Sequence, residues 1–376
     1  MNLALRDIRH RAGRFVLTAV GLSLLLGVVM SMIGIYRGLV DDALALARAP
    51  AAELWVVEGG TRGPFAEASR IPRDTRAAIA RLDGVAAAGA VTYQSLQVSV
   101  DGRPLRLFVV GHELDRPGGP TAIADGRAIE RSHFELVVDR RTGLKLGERL
   151  RLGTDTFTVV GRTKGQVDSA GNAVAYMTLS DAQKLQFTLE GAAARNQAAR
   201  GESPNRQQVN AVVARVKPGH DPDELAQSVR RWKHLAALSQ DQQESLLLTS
   251  VVEKARRQIG LFTAVLLAVS TVIIALIIYT MTMDKMREIA TLKLIGAPDR
   301  TIAGLILQQS LALGGLAFVT GTTLVTLAAG VFPRRVLILP ADVAALSLVV
   351  LTICVVASLF GVRYALRVDP ARALGG

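Results

Sequence analysis

The residues able to do chemistry are few and scattered. The five histidines, His10, His112, His133, His220 and His234, lack zinc-site spacing, and neither H-E-x-x-H nor G-x-S-x-G occurs. His112-Glu113 and His133-x-Glu135 come nearest to a ligand pair, and both read as surface histidines. No G-x-x-x-x-G-K-S/T loop is present, so the chain does not hydrolyse ATP by that route. Asp41-Asp42 reads as a solvated helix face, and Asp221-x-Asp223-Glu224 as a helix N-terminus, where acids suit the dipole. The single cysteine, Cys354, excludes an intrachain disulfide and reads as a small packing residue. None of this makes a catalytic or metal site. What remains is docking chemistry in Asp284–Arg300, DKMREIATLKLIGAPDR, a charged segment between two long apolar runs. As a helix from Lys285 to Ile295 it carries Met286, Ile289, Ala290 and Leu294 on one broad arc, with Arg287, Glu288 and Thr291 opposite. Gly296 supplies a left-handed stop and Pro298 blocks re-entry. Such a helix is about 15 Å long. It cannot cross a bilayer, so it lies along the surface or against another protein.

The elements that position this segment are membrane spans. Half of the 376 residues are hydrophobic and only 20% are charged. The excess lies in four uncharged runs, Phe15–Tyr36, Ile259–Met283, Ile302–Leu327 and Val343–Val362, each reaching the roughly 20 residues that about 30 Å of hydrocarbon requires. The net charge of +12 would suit nucleic acid or anionic lipid in a soluble protein, but here its placement matters more, and no nucleic-acid partner is expected. Arg6, Arg9, Arg11 and Arg14 precede the first run, Lys285, Arg287, Lys293 and Arg300 separate the second and third, and Arg363, Arg367 and Arg372 follow the fourth. By the positive-inside rule all three clusters are cytoplasmic, although Arg334 and Arg335 oppose it. The first run is longer than a signal-peptide core and no A-x-A site closes it. Gln308 and Gln309 inside the third run need hydrogen-bond partners in hydrocarbon. Ser23, Gly27 and Ser31, then Gly34 and Gly38, form a ridge of small residues fit for close helix contact, with either another span or a second copy.

The chain therefore divides into a cytoplasmic amphipathic segment 1–14, a span 15–36, an extracytoplasmic α+β domain with helical stalks 37–257, a span 258–283, the cytoplasmic helix 284–300, a span 301–330, an outer loop 331–341, a span 342–362 and a cytoplasmic tail 363–376. Within the exported domain, strands are expected at Glu53–Val57, Phe134–Val138, Thr156–Val160, Val174–Met177 and Val209–Val216. Ser95–Val100 and Leu105–Val110 flank an Asp101-Gly102 turn. Helices are expected from Pro72 to Leu82, from the capping box Ser180-x-x-Gln183 to Phe187, and from Pro222 to Lys233. Glu190–Gln208 reads as a polar loop, and Arg37–Arg48 and Asp241–Arg257 as the two stalks.

Arg287 to Ala297, REIATLKLIGA, strongly resembles the R-E-I-A-x-L-K-A-I-G-A segment of FtsX-like and MacB-like permeases, the membrane subunits of type VII ABC transporters. The opening Leu5–Leu17 (LRDIRHRAGRFVL) is similar to that family's basic lead-in, and Arg363–Leu374 (RYALRVDPARAL) to its R-x-D-P-x-x-A-L ending. The resemblance implies an α-helical membrane protein with four transmembrane helices and a MacB-like periplasmic core domain inserted between the first two. It implies that Arg287, Glu288, Leu292, Lys293 and Gly296 contact a separate ATPase subunit, with Leu294 replacing the commoner alanine. It further implies two permease copies, two ATPases binding ATP and magnesium, no cofactor in this chain, membrane lipid as surroundings, an optional periplasmic adaptor, and residence in the bacterial inner membrane. The look of the chain is nearest to short four-span permeases grouped with haem and glycolipid exporters. Export of a hydrophobic or amphipathic compound is the expected function, with control of an extracytoplasmic enzyme, as in the cell-division members, as the alternative. A membrane receptor without an ATPase is the third reading, which the coupling-like segment weakens.

Overall fold

The computed structural model describes residues 12–65, 67, 69–100, 102–189, 208–232, 234–284, 286–295, 297–332 and 334–367. The expected lead-in before Ala12, residues 190–207 of the expected polar loop Glu190–Gln208, Gly296 and the ending beyond Arg367 lie outside them, while Gln208 is strand. The chain forms two compact units, one from the segments up to Gly38 and from Ala255 onward, the other from Leu39–Lys254.

The first unit contains four helices long and apolar enough to cross a membrane. They are α1 (Ala12–Arg48), of which the residues to Gly38 belong here, α6 (Glu253–Asp284), α8 (Asp299–Ala328) and α9 (Pro340–Arg367). Between α6 and α8 lies the short α7 (Met286–Leu294). The ridge of small residues on α1 is filled by this same chain. A Cβ at Gly321 of α8 would stand 2.5 Å from the Ser23 carbonyl oxygen and 3.2 Å from the Gly27 nitrogen, so α1 and α8 touch backbone to backbone. Further along α1, Gly34 accepts a hydrogen bond from the Leu337 N–H, and a Cβ at Gly38 would lie 1.9 Å from the Arg335 carbonyl oxygen. The loop before α9 thus lies across the second pair of glycines, and Arg37 ties the first turn of α9 to α1 by a bidentate pair with Asp342 at 2.8 and 3.0 Å. Gly314 of α8 faces Cys354, and Ser310 donates to the Cys354 carbonyl at 2.9 Å, which makes the cysteine a packing residue of the α8–α9 contact.

The second unit is a mixed sheet with helices on it. In chain order its strands are β1 (Leu54–Glu58), β2 (Ile71–Pro72), β3 (Val85–Val100), β4 (Arg103–His112), β5 (Asp125–Gly126), β6 (Glu135–Asp139), β7 (Arg149–Leu152), β8 (Asp155–Thr163), β9 (Ala173–Thr178), β10 (Gln208–Val209), β11 (Ala211–Val216) and β12 (Leu235–Ser239). The main sheet runs β12-β1-β11-β3-β4-β9-β6-β8-β5, with β7 on β8, and β4–β9 and β6–β8 are its parallel pairs. Helices α2 (Thr75–Ala80), α3 (Leu179–Leu189), α4 (Pro222–Arg230) and α5 (Gln240–Leu247) complete it. β1 shows why LWVV is a continuous apolar run: Leu54 and Val56 join the core under α2 and α4, while Trp55 and Val57 join the core of the opposite face.

Several elements differ from expectation for physical reasons. β3 begins ten residues early, because the Ala- and Gly-rich stretch after Val85 is laddered along β11 before the strand turns to β4 at Val91, and needs no strand propensity of its own. The β3–β4 hairpin closes as expected with Val100 opposite Arg103 and Gly102 at φ +77°; Asp101 lies outside the described residues. α3 starts at Leu179, and Thr178 rather than Ser180 supplies the capping oxygen, accepting from Asp181 N at 3.3 Å. Gln183, freed from capping, donates to the Gln208 carbonyl and ties α3 to β10. The acidic start of α4 is as read, with Asp221 accepting from Asp223 N. A π-helical turn, Leu248–Val252, interrupts the expected Asp241–Arg257 helix.

Candidate functional site

The charged segment between the second and third long helices folds as α7, nine residues long with Glu288 in its first turn and Lys293 in its last, each suited to the helix dipole. Ile289 and Ala290 are buried, and Ile289 joins the core formed by the long helices of its unit, including Ile302 and Ile306 of α8. That anchor makes α7 a fixed projection of the span bundle rather than a free surface helix. Glu288 and Thr291 are exposed and Lys293 is half-buried. The arc expected to be uniformly apolar is split: Ile289 and Ala290 turn inward, while Leu294 is 62% exposed and Ile295 79% exposed. Periodicity alone cannot say which apolar residues face the chain's own spans and which face outward, so Leu294 and Ile295 were not separable as surface groups in the sequence. Of the five expected contact residues, Glu288 and Lys293 have described side chains; those of Arg287 and Leu292, and the whole of Gly296, lie outside the described set. The connection to α8 is short. Ile295 N bonds back to the Thr291 carbonyl, and Pro298, in extended conformation, accepts from Thr301 N to open the next helix.

The order of elements is thus a short helix between two long apolar helices, in a chain with a large sheet domain between its first two long helices. Residues 15–232 match the MacB-like periplasmic core domain, and residues 260–370 match the C-terminal part of FtsX-like permeases. The chain is an ABC transporter permease of the FtsX/MacB type. It is 24% identical over 373 residues, 99% of both chains, to an uncharacterized ABC transporter permease of Mycobacterium tuberculosis strain H37Rv. A second, from Mycobacterium bovis strain AF2122/97, is 26% identical over 376 residues, again 99% of both. Among solved structures, the periplasmic region of MacB from Actinobacillus actinomycetemcomitans aligns at 10% identity and TM-score 0.35, over 51% of this chain and 91% of that one. As a permease of this type it is a membrane protein with an extracellular domain, and it works with an ATPase subunit.

The permease's exported unit corrects two readings. His112 is not a surface histidine: it is buried, with Nδ1 3.1 Å from the Glu113 carbonyl oxygen, while the Glu113 carboxylate is shared by Arg73, Arg76 and Arg116 at 3.2, 3.3 and 3.9 Å. Asp42 is not solvated either, being buried 3.8 Å from Arg141. Both sit where the sheet or a neighbouring segment covers them, which no local pattern encodes. His133 is half exposed and its Nδ1 lies 2.7 Å from the buried Asp181. Among the described residues no cluster of His, Cys, Asp and Glu could hold a metal ion.

Glu135 is held down to about 2, chiefly by the Arg127 guanidinium, against the opposing effect of burial and with help from the Arg131 and Glu130 N–H groups. Since the folded value lies below the unfolded one of about 4.3, this stabilisation is present above that pH and is lost as pH falls through the folded value. Thermal melting followed against pH is expected to fall across that acid window in the wild type. Glu135→Gln, weaker at neutral pH, is expected to fall less; parallel curves would contradict the assignment.

Proposed function

We propose that this permease is the transmembrane half of an exporter for a hydrophobic or amphipathic compound such as haem, a lipid or glycolipid, or a drug-like molecule. A separate ATPase docks on α7 from the cytoplasm, with Arg287, Glu288, Leu292, Lys293 and Gly296 in its groove and Leu294 and Ile295 as added apolar contacts. The observation that carries this is the seating of α7: Ile289 buried among the spans beneath an exposed Glu288, Leu294 and Ile295. A push on such a helix is passed to α8 through Ile289, which packs in one core with Ile302 and Ile306. Two permeases and two ATPases loaded with ATP and magnesium form the working complex in the bacterial inner membrane, and an adaptor joins where a second membrane must be crossed. The apolar groove of about 630 Å³ lined by Leu24, Leu25 and Val28 of α1 and Ile273 and Ile277 of α6 is where we place the second copy. The chain itself is non-catalytic.

The size of the exported unit, Leu39–Lys254, favours transport over signalling. The deciding experiment is ATP hydrolysis by the purified permease–ATPase complex in lipid discs, measured with haem, lipids, glycolipids and drug-like amphiphiles. Stimulation by one of these, with its ATP-dependent movement across a vesicle, supports export. ATP-dependent activation of an extracytoplasmic enzyme with no stimulating compound would replace this reading by the transmitter.

A further inference from the structure

The exported unit contains a cavity of about 480 Å³ whose floor is the sheet and whose roof is the loop that follows β4. Its volume is that of pockets which enclose small molecules, about 300–1,000 Å³. The loop is built to lie close. A Cβ at Gly89 of β3 would stand 2.0 Å from the Pro117 carbonyl oxygen, which excludes any other residue there, and one at Gly119 would stand 2.7 Å from the His112 ring and displace it. Asp115 and Gly118 take positive φ, +56° and +127°, to complete the turn.

His112 lines this cavity and is only 8% exposed, and its Nε2 has no hydrogen-bond partner among the described residues. The partner of Nδ1 is a carbonyl oxygen, which can only accept, so the neutral ring carries its proton on Nδ1 and leaves the Nε2 lone pair unmatched. Burial lowers the His112 pKa and so keeps the ring neutral at pH 7. A buried acceptor left unmatched is unfavourable, and a ligand hydroxyl would satisfy it. The other polar side chains of the wall are cationic in excess: Arg116 and Arg215 line the cavity against Asp115. Arg116 brings little compensation with it, because its Glu113 partner is already shared with Arg73 and Arg76. Leu114, Ile129 and Val137 supply an apolar flank.

We propose that this cavity binds a small amphipathic anion: a carboxylate or phosphate drawn by Arg215 and Arg116, an apolar body against Leu114, Ile129 and Val137, and a hydroxyl donating to His112 Nε2. The proposal is independent of whether the permease exports or signals, since it concerns recognition within the exported unit alone.

The test is binding to the full chain in phosphatidylcholine discs, by equilibrium dialysis, with three probes: 3-hydroxyoctanoate, octanoate and glycerol 3-phosphate. Saturable binding of 3-hydroxyoctanoate identifies a free hydroxy acid as the source, and of glycerol 3-phosphate a phosphoester headgroup. Either is expected to weaken about tenfold in Arg215→Gln, an exposed position whose replacement leaves folding intact, as loss of a charge-assisted contact predicts. Preference for 3-hydroxyoctanoate over octanoate is expected to vanish in His112→Phe, with circular dichroism checking the fold. If neither hydroxylated probe saturates at millimolar concentration, or if binding is the same in Arg215→Gln and Arg116→Gln as in the wild type, the proposal fails.

Discussion

Replacing Glu288 with lysine, or Leu292 with alanine, is expected to cut coupled ATP hydrolysis in the assembled complex at least about tenfold while the permease remains folded. Glu288 is exposed on α7, and its replacement leaves the buried Ile289 and Ala290 in place. Truncating one member of a charge pair buried at an interface costs about 2–5 kcal/mol, enough to release the ATPase at working concentrations. Ile295→Asp is expected to act in the same way, since Ile295 is 79% exposed. Ile289→Ala separates docking from folding: it leaves a hole among the spans, costs about 2–5 kcal/mol of stability, and should lower the melting temperature. Copurification, ATPase rate and thermal melting of the four variants check this. Wild-type coupling in Glu288→Lys and Ile295→Asp together would remove α7 as the docking site.

Gly321→Val is expected to destabilise the permease more than any change on the lipid-facing side of the same helix. Even a Cβ would overlap the Ser23 carbonyl oxygen at 2.5 Å, and that oxygen belongs to helix backbone with no freedom to swing aside. The helices must separate, and overpacking of this kind costs about 1–3 kcal/mol or more, beyond the loss of Gly27 contacts. Gly315, six residues earlier in α8, meets nothing within 4 Å, so Gly315→Ala should be neutral or slightly stabilising through its higher helix propensity. Heat-induced unfolding in one detergent gives the comparison directly. Equal effects at the two glycines would mean that α1 and α8 do not touch in the membrane.

These two expectations meet in one mechanical picture. α7 is fixed to α6 and α8 through short connections and the buried Ile289, and α8 is fixed to α1 through Gly321 and Gly27. Motion imposed at α7 is therefore shared first with α8 and, through it, with α1, because close-packed contacts transmit displacement rather than absorb it.

The amino-acid sequence by itself determined the four spans, the short charged helix between the second and third, and the family, because each is encoded locally. An uncharged run long enough to cross hydrocarbon, an amphipathic segment of about ten residues ended by Gly296-Ala297-Pro298, and a motif such as REIATLKLIGA need no knowledge of what they touch. β1, the β3–β4 hairpin and the acidic start of α4 were legible for the same reason. Tertiary structure alone decided which small residues of α1 meet α8 and which meet the loop before α9, since a ridge of glycines has no preferred partner until a second backbone arrives. It also decided that Leu294 faces outward while Ile289 turns in, and that the Ala-rich start of β3 is strand. His112 is the sharpest case. In the sequence it is one scattered histidine; in the fold, Gly89 and Gly119 let a loop close over it and leave one buried nitrogen facing a cationic cavity.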